Sequence, residues 1–284
     1  MTPLTPRWDM DRVALVGCLL VGVIIGIFQA TNTIADPFDA HLYWSSGPDH
    51  MYPTEWGIAG GYVYAPPLAT LIGVLRPIGW PLFIVGWTTL SWFALWYCVR
   101  AWVPVVVVAS FALVPFIGGN VVGYLFMGNV QLIMAAAIVA SVRGWPGWSA
   151  IPVLTKLVGI TLVWYVARRE WRNLGIAIGA TAVVVLVTFI LNPTAWFDFL
   201  TFATRNRIDQ SPIPLVPVAF PIRLAFSILL VTWGGRTDRA WTVPVAAGLA
   251  IPALYVWSFV PIWIGVIGVT WRRTTPLITW GRSP

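Results

Sequence analysis

Two carboxylates, Asp36 and Asp39, stand in the stretch ADPFDAHLYW directly after a long apolar run, in a chain holding only ten acidic residues. A carboxylate at that place either caps a helix or takes a proton from a hydroxyl. Asp36-Pro37 reads as a helix start, with Asp as N-cap and proline at the first helical position, where its missing N–H is not needed. The helix is expected over Pro37 to Ser45. Asp39 and Tyr43, four apart, share one of its faces and Phe38 and Leu42 another, which describes an amphipathic helix on the outer membrane surface with its apolar side down. Capping accounts for Asp36. Asp39, at the third helical position, is only optionally structural and is the candidate general base; the bland alternative is that both acids cap a surface helix.

Other polar residues are expected on the same side of the membrane. Lys156 is the only lysine and sits inside an apolar segment, where an unpaired charge is costly and a functional role is the default, against snorkelling to the interface as the alternative. GNVQ, Gly128 to Gln131, offers the amides of Asn129 and Gln131 as hydrogen-bonding groups, or serves as a plain helix cap. TRNRIDQS, Thr204 to Ser211, sets Arg205, Asn206 and Arg207 in a loop on the outer side. Arginines on that side point to an anionic ligand such as a phosphate, unless they are simply solvated. Asp36, His41, Tyr43, Tyr64 and Trp257 complete the candidate substrate-binding set, the tryptophan by stacking on a sugar ring or lipid, with interfacial anchoring as the ordinary use of any one Trp. His41 and His50 lack metal-ligand spacing, so neither a metal nor a cofactor is expected. There is no phosphate-cradling glycine loop and no arrangement resembling a nucleophile triad.

Such residues need a scaffold, and the composition supplies it. The 284 residues are 58% hydrophobic and 10% charged, against about 25% charged in soluble domains. The chain reads as an all-α polytopic membrane protein with a single membrane domain over 1–284. The formal charge of +7 comes from arginines in short runs between apolar segments, which is how membrane helices are oriented, and nucleic acid is not an expected partner. Cys18 and Cys98 lie inside apolar segments and are expected as buried thiols.

The clearest spans are Val13 to Ala35, Pro81 to Cys98, Val103 to Ile117, Val130 to Val142, Leu174 to Leu191 and Val216 to Trp233. The first exceeds the roughly 7 to 15 residues of a signal-peptide core and is expected to be retained. Clusters at Arg7 and Arg12, Arg168 to Arg172, Arg236 and Arg239, and Arg272 and Arg273 are expected in the cytoplasm with both termini. The loops Asp36 to Tyr64, Gly118 to Asn129 and Asn192 to Leu215 are expected outside. Pro66 to Leu75 offers about 15 Å of helix, half of a bilayer core. Gly147 to Val166 is expected to bend into two half helices with its apex near Lys156, and Thr242 to Trp271 to go out and return near Tyr255 to Phe259. About nine to ten spanning or half-membrane helices result. Backbone broken at membrane depth must line protein or water, so a polar cavity opening outward is expected.

With those residues in hand, the chain resembles the GT-C integral-membrane glycosyltransferases, in particular glycosyltransferase family 87, the polyprenol-phosphate-mannose-dependent mannosyltransferases of bacterial envelopes. The resemblance rests on DAHLY (Asp39 to Tyr43), MYP followed by GYVYAPPLATL (Met51 to Leu71), GNVQLIMAA (Gly128 to Ala136), LTKLVGITLVWYVARREWR (Leu154 to Arg172), and WFDFL (Trp196 to Leu200) followed by RNRIDQS. It implies a GT-C-like bundle in the bacterial plasma membrane with an active site facing outside. A sugar, mannose in the family, would pass from a polyprenyl-phosphate donor to a lipid or glycan acceptor, with Asp39 as base and Lys156, Arg205 and Arg207 on the donor phosphate. The chain departs from the family in its shorter length and in VWSFV, where Ser258 and Phe259 follow a tryptophan that many relatives pair with histidine. Two other classes remain open: a lipid or lipid-linked-sugar transporter, and a non-catalytic membrane subunit with this fold.

Overall fold

The computed structural model describes residues 9–32, 36–46, 51–52, 64–117, 119–205, 218–252, 254 and 258–270. Among the described residues the chain is helical throughout and has no strand. In order the helices are α1 (Met10–Thr31), α2 (Phe38–Ser45), α3 (Pro66–Leu75), α4 (Trp80–Val99), α5 (Val103–Ala112), α6 (Val114–Ile117), α7 (Val121–Met127), α8 (Gln131–Val142), α9 (Ala150–Lys156), α10 (Ile160–Ala167), α11 (Trp171–Leu191), α12 (Pro193–Arg205), α13 (Phe220–Arg236), α14 (Thr242–Leu249) and α15 (Phe259–Thr270).

Three segments are long and apolar enough to cross a bilayer: α1, the apolar stretch Trp80–Ala112 that joins α4 to α5, and α11. A fourth results if α7 and α8, bent by 109° at Gly128 to Val130, form one broken span. Only 11% of the most apolar window of α11 is buried, so an apolar surface faces outward along most of its length, which suits lipid and not water. Six clear spans were expected from hydropathy. Val130 to Val142 settles as the 12-residue α8 and Val216 to Trp233 as the 17-residue α13; an apolar window does not register the Gly-Asn break or the Pro221 start.

The α1 and α4 helices run antiparallel in direct backbone contact. A Cβ added to Gly22 would meet the Thr89 Cα at 2.7 Å, and one on Gly26 the Val85 Cα at 2.6 Å; small residues allow this approach in membranes. Gln29, buried beside them, accepts from Thr88 Oγ1 at 2.7 Å and donates to the Phe126 carbonyl at 2.6 Å, so its amide is satisfied where water is scarce.

The expected breaks are present. The α3 helix covers Pro66–Leu75. The α9 helix ends at Lys156, with Leu157 left-handed at φ 58°, before α10 begins. The α14 and α15 helices are likewise separate, although most of the intended apex at Tyr255 to Phe259 lies outside the described residues. Two expected loops are corrected. Gly118 to Asn129 contains α7, opened by Asn120, whose side chain accepts from the Gly123 N–H at 2.7 Å, and closed by left-handed Gly128 at φ 70°. Asn192 to Leu215 begins with the 13-residue α12, whose Ala195, Phe199 and Phe202 are buried along one stripe.

The two ends of the bundle differ. The α2 helix follows the C-terminal end of α1, and Trp44 and Tyr43 pack there on Phe83 and Trp87 of the N-terminal part of α4. At the far end Trp96 Nε1 donates to the Asp11 carbonyl at 2.9 Å, and Tyr165 donates to the Ser141 carbonyl at 2.8 Å. Asn129, at the start of α8, therefore belongs to the α2 end and Arg168, just past Tyr165, to the opposite one.

Candidate functional site

At the α2 end the polar side chains converge. Asp39, half-buried on α2, accepts from Asn129 Nδ2 at 2.9 Å. The orientation of that amide is fixed, because Asn129 Oδ1 accepts from the Gln131 N–H at 2.9 Å; with the oxygen taken, the nitrogen faces the carboxylate. Asn129 is held by the α7–α8 break. Left-handed Gly128 sits where a Cβ would lie 2.6 Å from the Ala40 Cβ, and its carbonyl accepts from Trp87 Nε1 at 2.6 Å. Glycine is the residue that adopts this φ and leaves room for α2.

Tyr43, one turn after Asp39, is fully buried and joins Tyr64 hydroxyl to hydroxyl at 3.1 Å, while the Val130 N–H donates to its oxygen at 3.4 Å. Burial foremost pushes the Tyr43 phenol well above its ordinary value, so it stays protonated at any working pH. The Lys156 ammonium lies over the ring of Tyr64 at 4.4 Å from its centroid. Its charge also acts on Asp39. No ion pair among the described residues joins the two, so the lysine acts on the carboxylate through its charge and not through a direct contact.

Burial foremost raises the carboxyl of Asp39 above the usual carboxylate range, opposed by the Asn129 hydrogen bond and then by the Lys156 charge. Desolvation disfavours the anion, while the donor and the cation favour it. The result is a carboxylate more basic than one in water.

Gln131 accepts from the Tyr124 hydroxyl at 3.4 Å. Fully buried Ser258, from the VWSFV element, lies close to the same phenol. Tyr52 donates to the Tyr64 carbonyl at 2.9 Å and stacks on Phe202 of α12 with ring centroids 5.3 Å apart. The helix that ends in Arg205 thus packs beside the cluster; the Arg205 side chain, Asn206, Arg207 and Trp257 lie outside the described residues.

Asp36 and His41 are not part of this group. Asp36 does not cap α2; the cap position is Pro37, without a side-chain hydrogen bond. Its carboxylate instead meets His41 Nδ1 at 2.9 Å, both side chains 53% exposed, and His41 packs on Trp80 with ring centroids 5.1 Å apart. Two residues on from Asp39, His41 is on another face of the helix. The ring nitrogen outcompetes the first-turn N–H groups for the Asp36 oxygens.

Three contributors are absent from a hydropathy reading. Arg76 donates through Nη2 to the carbonyls of Trp44 and Ser46, at 2.9 and 3.0 Å, and so holds the end of α2. Trp87 and Tyr124 act as described above. Their signals were present in part: an arginine directly after the short α3, and the Asn120 and Gly128 start and stop that bracket Tyr124.

No family model matches the chain, and comparison with curated proteins and with solved structures likewise returns no match.

Proposed function

We propose that the protein is a membrane glycosyltransferase of GT-C-like architecture that moves a sugar from a polyprenyl-phosphate donor to a hydroxyl of a lipid or glycan acceptor. The observation that carries this reading is that the only lysine of the chain, seated over Tyr64, lies near enough for its charge to act on a half-buried, hydrogen-bonded carboxylate 117 positions earlier. A transfer of this kind needs a base and a cation at opposite ends of the reacting bond. Asp39 takes the proton of the acceptor hydroxyl, whose oxygen bonds to the anomeric carbon. The bond from that carbon to the phosphate oxygen breaks, and its electron pair leaves with the polyprenyl phosphate. Lys156 offsets the charge that grows on the phosphate, where a preorganised cation helps most. Arg205 and Arg207 are further candidates for the phosphate. Attack from the side opposite the leaving group inverts the anomeric centre. Mannose, the bacterial plasma membrane and an outward-facing site follow from the family resemblance and the arginine distribution.

Incubating the purified protein with radiolabelled polyprenyl-phosphate sugars and membrane lipid extract tests the reading. A labelled product lipid that disappears in Asp39→Asn supports it. Movement of the donor across a vesicle bilayer without product replaces it with a transporter, and neither result leaves a non-catalytic subunit.

A further inference from the structure

The end of the bundle opposite Asp39 holds a cavity. The C-terminal ends of α10 and α13 diverge around a cavity of about 620 Å³, lined by Val166, Arg168, Arg169, Gly235, Arg236 and Asp238 among others. The helices touch at its base, where a Cβ on Gly235 would lie 2.8 Å from the Ala167 Cβ. Arg168 is already paired with two acids, its Nε 2.6 Å from Glu170 and its Nη1 2.6 Å from Asp238. It forms one wall and keeps both acids occupied. Arg169 and Arg236 have no carboxylate in salt-bridge range among the described residues.

Positive residues at helix C-termini are often no more than complements to the helix dipole. Two features exceed that role here. Residues 163–172 and 232–239 hold five arginines against two carboxylates. Beside the cavity Trp171 is 62% and Trp233 49% exposed, and the outward apolar surface of α11 begins there. Exposed tryptophans mark the headgroup region of a bilayer.

We infer that this cavity binds the phosphate of an anionic phospholipid headgroup. Arg169 and Arg236 take the phosphate oxygens through their guanidinium forks, and the acyl chains run along the outward face of α11. Basic pockets between membrane helices recognise lipid headgroups in this way. The inference rests on the membrane reading of the chain and is independent of the chemistry at Asp39.

The test places the full chain in phosphatidylcholine nanodiscs that contain a photoactivatable phosphatidylglycerol and maps the crosslinked peptides. Labelling is expected within 163–172 and 232–239, competed by unlabelled phosphatidylglycerol and not by added phosphatidylcholine. The double variant R169Q/R236Q is expected to lose labelling about tenfold or more, at roughly the effect of one interfacial cation each. R12Q removes an exposed arginine at the same end and is expected to leave labelling unchanged. Labelling elsewhere, or equal labelling of the double variant, overturns the site. Competition by inorganic phosphate as effective as that by the lipid overturns the lipid source and leaves a soluble-phosphate site. Should the double variant not fold, the wild-type peptide map decides between the same outcomes.

Discussion

Asn129 and Asp39, ninety positions apart, meet through one hydrogen bond of 2.9 Å whose donor cannot turn away, because the other end of the Asn129 amide is spent on the Gln131 N–H. The amide ties a surface helix to the start of a buried one. It aims a fixed dipole at the carboxylate and so sets part of its basicity. Rigid support of this kind is what a catalytic carboxylate needs, since the geometry is in place before substrate arrives.

Replacing Asn129 by Leu removes that donor. A hydrogen bond to a charged group contributes about 1.5–3 kcal/mol, so transfer is expected to fall by ten- to a hundredfold. The bond lowers the Asp39 pKa against burial, so the acid limb of the rate profile should move to higher pH. Rate profiles of the variant and wild type check both; an unmoved acid limb would remove Asn129 from the control of Asp39.

Asp39→Asn separates catalysis from stability. Burial raises the folded-state pKa of Asp39 above its unfolded value. The stabilisation from that group is then complete below the ordinary aspartate value near ~3.9 and is lost as pH rises through the folded pKa. At neutral pH the buried anion is a net cost, so the Asn variant should melt no lower than wild type while transfer falls by about 10² to 10⁴. Thermal melts and turnover on one preparation decide this. An inactive variant that also melts well below wild type would show a structural role for the carboxylate.

Lys156→Met should depress kcat more than KM, because a cation that answers charge growing on a leaving phosphate acts chiefly in the transition state. Lys156→Arg keeps the charge but swaps a point donor for a fork, and is expected to recover part of the loss. Equal rates in wild type and Lys156→Met would show that the lysine only packs on Tyr64.

The sequence pattern reveals part of this arrangement and hides the rest for physical reasons. A proline and a lysine inside one apolar segment disclose the α9–α10 break, because neither tolerates the middle of a lipid-facing helix. The same pattern cannot show that Lys156 reaches the Tyr64 ring, which depends on how α9 leans on α3. The α7 helix is missed because seven residues are too few to register in a hydropathy window, although Asn120 and Gly128 mark both its ends. The α12 helix is missed because polar residues interrupt its stripe, yet Ala195, Phe199 and Phe202 recur at helical spacing. Asp36 carries the signature of a cap and fails as one because His41, a turn further on, offers a competing donor.

Gly128→Ala is expected to damage the site from a distance. The added methyl would lie 2.6 Å from the Ala40 Cβ at a φ of 70°, so α2 must move or the α7–α8 break must open. Left-handed strain adds about 1 kcal/mol or more to the clash. Melting should fall by several degrees and transfer should fall with it, as the Asn129–Asp39 bond lengthens. A variant with wild-type stability and rate would show that the break is pliable.

Arg223 poses the last test, at the other broken element. It is 5% exposed on α13, and its guanidinium donates to four carbonyls: Nε to Val218 at 3.0 Å, Nη1 to Leu249 at 2.9 Å and Ile251 at 2.8 Å, and Nη2 to Pro252 at 2.7 Å. The last three belong to the chain leaving α14, where helical hydrogen bonds have run out and a membrane supplies none. One planar fork therefore satisfies the backbone that leads toward Ser258. Lysine at 223 offers a single nitrogen and cannot span the four oxygens, while methionine leaves them all unpaired, at about 1–3 kcal/mol for each one that stays buried. Both variants should melt lower, methionine more so, and amide exchange should quicken in peptides covering 246–254 before it changes in α1 or α4. Unchanged exchange in that segment would mean that the stretch after α14 is held by packing alone.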